Sequence, residues 1–251
     1  MKKGVYVLPN LFTMGNMILG FFAIVTAMNE DFHKAAIAII FAAVFDGLDG
    51  KVARLTHSTS RFGIEFDSLA DVISFGVAPA ILMYLWALKP YGRIGWLAAC
   101  LFMSCGALRL ARFNVQSAPF QQKYFTGLPI PAAAGMVATF IIFHEHLWGV
   151  SGNKPIVIAL LTYVCAFLMV SNIKYHSLKE LELKKKKPFN ILVIAFLIIY
   201  VVIAIPQIIL FVLACLYALS GPVEFMWGHS FKGRFAFLRD AQGDKQREKK
   251  V

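Results

Sequence analysis

The chain has 251 residues, a formal net charge of +11 and a mean hydropathy of +0.66. Hydrophobic residues make up 59% of it and charged residues 16%, whereas a soluble domain is nearer about half apolar and a quarter charged. This composition excludes an ordinary soluble protein and predicts an integral membrane protein. The basic residues flank apolar stretches, which favours contact with anionic membrane lipids over binding of nucleic acid.

Apolar stretches long enough to cross a bilayer recur along the chain. They predict an all-α membrane protein, a polytopic helical bundle of about eight transmembrane helices. Single spans are predicted over residues 9–28, 34–55, 63–88, 93–115, 129–147 and 155–172. The run 190–220 has two interpretations, one overlong helix or a hairpin of two short spans around Ile205-Pro206-Gln207.

The first span opens with the sequence LPNLFTMGNM and carries a regular polar face. Asn10, Thr13 and Asn16 recur there at steps of three, so they lie on one side of a helix. Two interpretations fit this face: capping and hydrogen bonding between helices, or a polar wall beside a nucleotide. On the second interpretation, Asn10 and Thr13 are candidate binding residues.

Four aspartates interrupt the apolar pattern where the second span ends and the third begins. Asp46 and Asp49 are three residues apart, and Asp67 and Asp71 are four apart, so each pair lies on one face of its helix. The polar link 56–61 is short, which makes the two helices antiparallel neighbours. We therefore expect the two acidic faces to meet near one membrane surface.

Four carboxylates in apolar surroundings repel one another, and an unpaired charge inside a membrane costs several kcal/mol. Two divalent cations would neutralise them, and ligation by oxygen alone suits Mg²⁺ or Mn²⁺, with Ca²⁺ as an alternative, better than zinc. Gly50 follows the first acidic pair and Gly63 precedes the second. Because glycine has no side chain, a phosphate could lie against the backbone at these positions. A purely structural polar cluster would leave this organisation unexplained.

The pattern Asp-x-x-Asp-Gly-x-x-Ala-Arg followed by Gly-x-x-x-Asp-x-x-x-Asp resembles the CDP-alcohol phosphotransferases. Its fixed positions are filled by Asp46, Asp49, Gly50, Ala53, Arg54, Gly63, Asp67 and Asp71. The resemblance implies a CDP-linked lipid as donor and a homodimer. By resemblance, the principal metal ligands are Asp46, Asp49 and Asp67, and the residues lining the CDP site are Gly50, Ala53, Arg54 and Gly63, with Thr59 and Ser60 adding hydroxyl contacts. Asp71 is the candidate catalytic base and also a candidate fourth metal ligand.

The fourth span ends with the sequence RLARFN, which brings Arg109, Arg112 and Asn114 to the membrane face that carries the aspartates. One interpretation is ordinary anchoring of basic residues at the cytoplasmic surface. The other is a pocket for an anionic group of the acceptor, because arginine binds carboxylate or phosphate in a bidentate fork.

Four segments resemble the membrane-embedded phosphatidylserine synthases within that family: LPNLFTMGN, FDSLADVISFGVAPA (66–80), RLARFN and GLPIPAAAG (127–135). The implied reaction joins CDP-diacylglycerol and L-serine to give phosphatidylserine and CMP, with Arg109 or Arg112 holding the serine carboxylate. A sister enzyme using glycerol 3-phosphate or inositol phosphate is the alternative. A divalent-cation transporter is disfavoured because the aspartates cluster at one face of the membrane.

Charge distribution decides between the two interpretations of residues 190–220. A hairpin returns the basic tail 221–251 to the side of the lysine-rich run 179–187 and makes both termini cytoplasmic. All but four of the 25 Lys and Arg residues then lie inside, as the orientation rule expects. We therefore predict a transmembrane domain over 1–220, in the cell membrane with its active site facing the cytoplasm.

Overall fold

The computed structural model describes residues 7–56, 58, 60–116, 124–149, 157–176 and 205–225. These residues form a helical bundle with one short β-ribbon. Its elements are α1 (Val7–Met28), α2 (Phe32–Leu55), α3 (Arg61–Asp71), α4 (Ala78–Met83), α5 (Gly92–Gln116), β1 (Tyr124–Thr126), α6 (Ile130–Trp148), α7 (Val157–Val170), β2 (Lys174–His176) and α8 (Pro206–Phe225).

The third transmembrane helix runs from α3 to α4 without a break but not as a uniform α-helix. Two π-helical segments, Val72–Val77 and Tyr84–Leu88, lie on either side of α4. Pro79 has no backbone N–H and its ring crowds the carbonyl one turn earlier, which opposes regular α-helical bonding here. The first wide segment begins immediately after Asp71, so the irregularity lies next to the acidic motif.

Within the described part of the chain, four helical stretches are long and apolar enough to cross a membrane by length and composition: Leu8–Met28, Arg61–Val115, Ile130–Trp148 and Pro206–Phe225. The second is 55 residues long and makes two passes, because Gly92 reverses the chain with a φ of +55°. Asn114 near its end donates a hydrogen bond to Ser68 near its start, at 2.8 Å. The protein is therefore a helical membrane protein.

The bundle has two ends, which we call the site face and the far face. The site face holds the acidic motif, at the end of α2 and the start of α3. At the far face, His33 of α2 lies 3.0 Å from Glu145 of α6, and Tyr163 of α7 donates to the Ile94 carbonyl of α5. The start of α8 also lies there, because Pro206 lines a cavity of about 290 Å³ together with His33.

Small side chains let the first helices pack closely around the site. The buried alanines of α1 and α2 are Ala23, Ala27, Ala35, Ala36, Ala38 and Ala42. Gly20 of α1 faces Ser74, where an added Cβ would collide with the serine. Ser74 in turn donates a hydrogen bond to the Asn16 carbonyl of α1, at 3.0 Å. Such contacts between small residues are how helices associate in a lipid environment.

The six single spans are confirmed as helices, with ends within two residues of those predicted. The hairpin prediction is tested only in its second half: α8 begins at Pro206 and continues to Phe225, past the predicted domain boundary at 220. Residues 190–204 and 226–251 lie outside the described residues, so the count of about eight spans stays a prediction.

The β-ribbon was missed by the sequence analysis. Tyr124–Thr126 pairs antiparallel with Lys174–His176, with Phe125 opposite Tyr175. Its strands are too short to show the alternation that predicts a strand. The ribbon ties the segment before α6 to the segment after α7 at the site face.

Candidate active site

Three of the four motif aspartates form one cluster. Asp46 and Asp49 come from the last turns of α2 and Asp67 from the middle of α3, and their ligand oxygens all lie within 4.8 Å of one another. Asp49 is only 4% exposed. The Oδ1 atom of Asp67 is buried and has no hydrogen-bond partner among the described residues. The predicted meeting of the two acidic helix faces is thus observed.

The chemistry of this cluster fits a hard divalent cation. Among the described residues, no lysine, arginine or histidine nitrogen lies within 4 Å of the Asp49 or Asp67 carboxylate. An orphaned carboxylate oxygen beside two further carboxylates is costly in a low-dielectric site unless a cation binds it. An all-oxygen set of ligands is what Mg²⁺, Mn²⁺ and Ca²⁺ prefer. Asp46, Asp49 and Asp67 are therefore suited to hold metal.

Asp71 lies one turn deeper than Asp67 and is held separately. It is 7% exposed and is not part of the close triplet, although it interacts electrostatically with Asp46 and Asp67. The Asn16 side chain donates a hydrogen bond to Asp71 Oδ1, at 3.2 Å. For Asn16, the interhelical hydrogen-bonding interpretation of the polar face of α1 is confirmed. Ligation of metal by Asp71 stays a prediction.

A pocket of about 160 Å³ opens beside Asp49 and Asp67. Its other lining residues are Pro9, Asn10, Thr13, Gly50, Ala53, Ser58, Ser60, Gly63 and Ile64. Six of these were predicted for the CDP-lipid: Asn10, Thr13, Gly50, Ala53, Ser60 and Gly63. The sequence analysis missed Pro9, Ser58 and Ile64; the only signal for Ser58 was its place in the polar link between the two halves of the motif.

The walls of the pocket are set by hydrogen bonds between elements. Thr13 of α1 donates to Asp49 Oδ2 at 2.9 Å, which fixes one carboxylate of the cluster. Ser60 caps α3, because its side chain accepts the Gly63 N–H at 3.0 Å. A Cβ at Gly63 would lie 3.1 Å from Ser60 Oγ and 3.4 Å from Asn10 Oδ1, so glycine permits the close approach of α1.

Of the predicted CDP-site residues that the structure describes, Arg54 does not line this pocket. Arg54 is exposed, and its Nε atom donates to the Gly50 carbonyl at 2.8 Å within the same helix. Thr59 lies outside the described residues. Arg54 therefore stays at the rim of the site, where its charge can reach an anionic ligand from the solvent side.

Gly50 gives a test of the pocket as a ligand site. Among the described residues, an added Cβ would meet only the Arg54 guanidinium, at 4.0 Å, so Gly50→Ala is expected to fold normally but to narrow the pocket. We expect the KM for the CDP-linked donor to rise by about 10-fold or more, because a methyl group would occupy the space that a phosphate needs. The matched control is Gly47→Ala on the same helix, where an added Cβ would meet no atom of the described structure within 4 Å. Equal donor KM values for the two variants would contradict this use of Gly50.

The two arginines of α5 have different surroundings. Arg109 is 7% exposed, interacts electrostatically with Asp71, and its Nε atom has no hydrogen-bond partner among the described residues. Arg112 instead donates to oxygens at the end of α7 and in the β-ribbon: the carbonyls of Thr126, Val170 and Ser171 and the side chain of Asn172, at 2.9–3.3 Å. Asn114 donates to Ser68 and so is also engaged. Of the three predicted acceptor residues, only Arg109 has a buried side-chain donor that lacks a hydrogen-bond partner among the described residues.

Comparison with known proteins agrees with this site. A model of the family described as CDP-alcohol phosphatidyltransferase matches residues 6–171. The chain is 42% identical over 192 residues to a CDP-diacylglycerol–serine O-phosphatidyltransferase of Helicobacter pylori, covering 76% of this chain and 80% of the relative. The chain is 36% identical over 173 residues to the Bacillus subtilis protein of that name, covering 69% of this chain and 92% of the relative. The chain is also 40% identical over 172 residues to an archaetidylserine synthase of Methanothermobacter thermautotrophicus, covering 67% of this chain and 69% of the relative. Together with the complete acidic motif, these matches show that the chain belongs to the CDP-alcohol phosphatidyltransferase family.

Proposed function

We propose that the protein transfers the phosphatidyl group of CDP-diacylglycerol to the hydroxyl of L-serine, giving phosphatidylserine and CMP. The observation that carries this proposal is the triplet of Asp46, Asp49 and Asp67 at the head of a glycine-walled pocket. The names of the relatives from H. pylori and B. subtilis support serine as the acceptor.

The pocket is suited to the CDP part of the donor. Thr13, Ser58 and Ser60 offer hydroxyl groups there, and Gly50 leaves the α2 backbone open. Asp46, Asp49 and Asp67 would hold Mg²⁺ or Mn²⁺, which when bound would neutralise the pyrophosphate and stabilise charge on the attacking and leaving oxygens. Because the site is at one end of the bundle, the lipid tails can stay in the bilayer.

Asp71 is suited to activate the acceptor. In the proposed reaction its carboxylate takes the proton of the serine hydroxyl, and the serine oxygen forms a bond to the lipid-side phosphorus. The bond from that phosphorus to the CMP oxygen breaks, and CMP leaves. Asn16 orients the Asp71 carboxylate through its hydrogen bond. Arg109, buried near Asp71, is suited to bind the serine carboxylate.

We infer that the site faces the cytoplasm from the cell membrane. Helix α7 ends at the site face, α8 begins at the far face, and the end of α8 returns to the site face, where the Ala218 carbonyl accepts a hydrogen bond from Tyr175. This arrangement supports an even number of spans with both chain ends on one side, as the charge distribution predicts. The homodimer implied by the family resemblance also remains a prediction.

An acceptor panel tests the proposed function. Purified protein is incubated with CDP-diacylglycerol, Mg²⁺ or Mn²⁺, and one of L-serine, glycerol 3-phosphate or inositol phosphate, and CMP release is measured. We expect CMP to be released only when L-serine is the acceptor. Release only with another acceptor would identify a sister phosphotransferase. Metal uptake into sealed vesicles without CMP release would point to a cation transporter. A parallel assay with a CDP-linked ether lipid distinguishes the diacyl donor from the archaeal type.

The two arginines are expected to respond differently to substitution. Arg109→Ala should raise the serine KM by about 10-fold or more, because a charge-assisted bond to the carboxylate is lost. Arg112→Ala should instead lower the melting temperature, because the backbone carbonyls of Val170 and Thr126 lose the hydrogen bonds that Arg112 donates to them. Both are measured on purified protein, by serine titration and by thermal unfolding. A selective rise of the serine KM in Arg112→Ala would reverse the assignment.

A further inference from the structure

The Thr13 side chain makes a hydrogen bond that its place in the pocket wall does not explain. Thr13 lines the pocket but is only 3% exposed, and its Oγ1 atom lies 2.9 Å from Asp49 Oδ2 and 3.2 Å from the Pro9 carbonyl oxygen. A threonine hydroxyl has a single proton, and an ionised carboxylate is a stronger acceptor than a carbonyl. The Thr13 proton is therefore donated to Asp49 and not to a phosphate in the pocket. The Thr13 oxygen can still accept a hydrogen bond from a sugar hydroxyl.

This hydrogen bond fixes one member of the carboxylate cluster. Asp46, Asp49 and Asp67 each offer one ligand oxygen, and these oxygens lie within 4.8 Å of one another. A carboxylate can turn about its Cβ–Cγ bond, so closeness alone does not set the direction of its lone pairs. The bond from Thr13 fixes the plane of the Asp49 carboxylate and leaves lone pairs of that carboxylate for a cation. The buried Asp67 Oδ1 atom has no such partner among the described residues.

The donor to Asp49 is neutral, which suits a metal site. In the described part of the chain, no basic side-chain nitrogen lies within 4 Å of the Asp49 carboxylate. A lysine or arginine there would orient the carboxylate but would also offset its charge and repel a divalent cation. A hydroxyl orients the carboxylate and leaves it fully negative. Loss of a group that hydrogen-bonds a metal ligand typically weakens metal binding by about 10- to 100-fold.

Helix α1 presents Thr13 to Asp49 as a fixed element. One turn deeper along α1, the Asn16 side chain donates to Asp71 at 3.2 Å, and the Asn16 carbonyl accepts a hydrogen bond from Ser74 at 3.0 Å. Gly20, a further turn along, packs so closely on Ser74 that an added Cβ would collide with it. These contacts hold α1 against the third transmembrane helix, so the Thr13 hydroxyl is supplied by a rigid helix and not by a loop.

We propose that Thr13 is a positioning residue that orients the Asp49 carboxylate for binding of a divalent cation. Helix α1 thereby contributes to metal affinity, although the three clustered carboxylates come from α2 and α3. This inference deepens the proposed function, since it rests on the metal site of that function. It does not depend on which alcohol is the acceptor.

Mn²⁺ binding to the purified protein, without donor or acceptor, tests this role. Thr13→Val removes the hydroxyl and keeps the shape of the side chain. We expect the Mn²⁺ dissociation constant to rise about 10- to 100-fold, measured from the EPR signal of free Mn²⁺ and from the Mn²⁺ concentration that gives half of the rise in melting temperature. Thr13→Ala removes the same hydroxyl and is the second variant if Thr13→Val does not fold.

Two control variants separate the hydroxyl from the rest of the side chain and from the helix. Thr13→Ser keeps the hydroxyl, so its Mn²⁺ dissociation constant should stay within about twofold of the unsubstituted value. Thr26→Val removes a hydroxyl of the same helix that bonds the Phe22 and Ala23 carbonyls of α1 itself, and it should leave Mn²⁺ binding unchanged.

An unchanged Mn²⁺ dissociation constant in Thr13→Val, or an equal rise in Thr13→Ser or Thr26→Val, would overturn the inference. A higher donor KM in Thr13→Val with normal Mn²⁺ binding would overturn it in favour of direct contact with the CDP-lipid. Absence of Mn²⁺ binding by the unsubstituted protein would overturn both the metal site and this inference. Normal Mn²⁺ binding by a protein that releases no CMP with serine would overturn the proposed function alone.

Discussion

Replacing Asp71 by asparagine is expected to lower kcat by about 10²–10⁴-fold, the range that a positioned general base contributes. The amide keeps the shape of the side chain and can still contact Asn16, so the fold should be retained. The KM for CDP-diacylglycerol should change little, because Asp71 lies outside the lining of the donor pocket and outside the close carboxylate triplet. CMP release at saturating serine measures the effect.

Asp31→Asn is the matched control for this substitution. Asp31 caps α2 at the far face, where its side chain accepts the Lys34 N–H, and asparagine is an equally good N-cap. We expect the control to retain normal turnover. If Asp71→Asn also turns over at a near-normal rate, Asp71 is not the base. If Asp71→Asn needs a higher metal concentration for activity than the unsubstituted enzyme, Asp71 is a metal ligand.

Loss of Asp67 is expected to remove metal binding. In Asp67→Asn we expect activity to fall by at least about 10²-fold at a Mn²⁺ concentration that saturates the unsubstituted enzyme, because one of three close carboxylates is lost. EDTA should abolish activity of the unsubstituted enzyme, and Mg²⁺ or Mn²⁺ should restore it. Titration of CMP release against metal concentration measures both effects.

Thermal unfolding separates a metal ligand from a structural carboxylate without using activity. Mn²⁺ should raise the melting temperature of the unsubstituted protein, because a ligand that binds only the folded state stabilises it, and this rise should be absent in Asp67→Asn. In EDTA, Asp67→Asn should be as stable as the unsubstituted protein or more stable. The Asp67 carboxylate is a buried negative charge, and its Oδ1 atom has no hydrogen-bond partner among the described residues, so its removal should not cost stability. A large loss of stability in EDTA would indicate a structural role.

The core of the candidate site was predictable because helical spacing decides which side chains share a face. Asp46 and Asp49 at a step of three, and Asp67 after a short link, could meet only if the two helices pack antiparallel, and they do. One of the two interpretations of the polar face of α1 placed Asn10 and Thr13 beside the ligand, and both residues line the pocket. Local periodicity carried these predictions without any information on long-range contacts.

The surroundings of the two arginines and the docking of α8 depend on contacts between segments that are distant in the sequence. Nothing in the spacing of Arg109 and Arg112 indicates that one is buried with an Nε atom unpartnered among the described residues, while the other bonds to carbonyls at the end of α7. The docking of α8 on the core, through the hydrogen bond from Tyr175 to the Ala218 carbonyl, is likewise not indicated by any local pattern. Such roles are fixed by tertiary packing, which local pattern does not encode.

The π-helical segment Val72–Val77 accommodates one more residue than an α-helical turn would, directly after Asp71. Deleting one residue within this segment would let the wide turn close into a regular α-helical turn, so Asp67 and Asp71 should stay in register with α2 and activity should survive. Deleting one residue between Asp67 and Asp71 has no wide turn to absorb it and would rotate Asp67 by roughly 100° relative to Asp71. The tolerance of this helix to a shortened chain therefore changes sharply at Asp71.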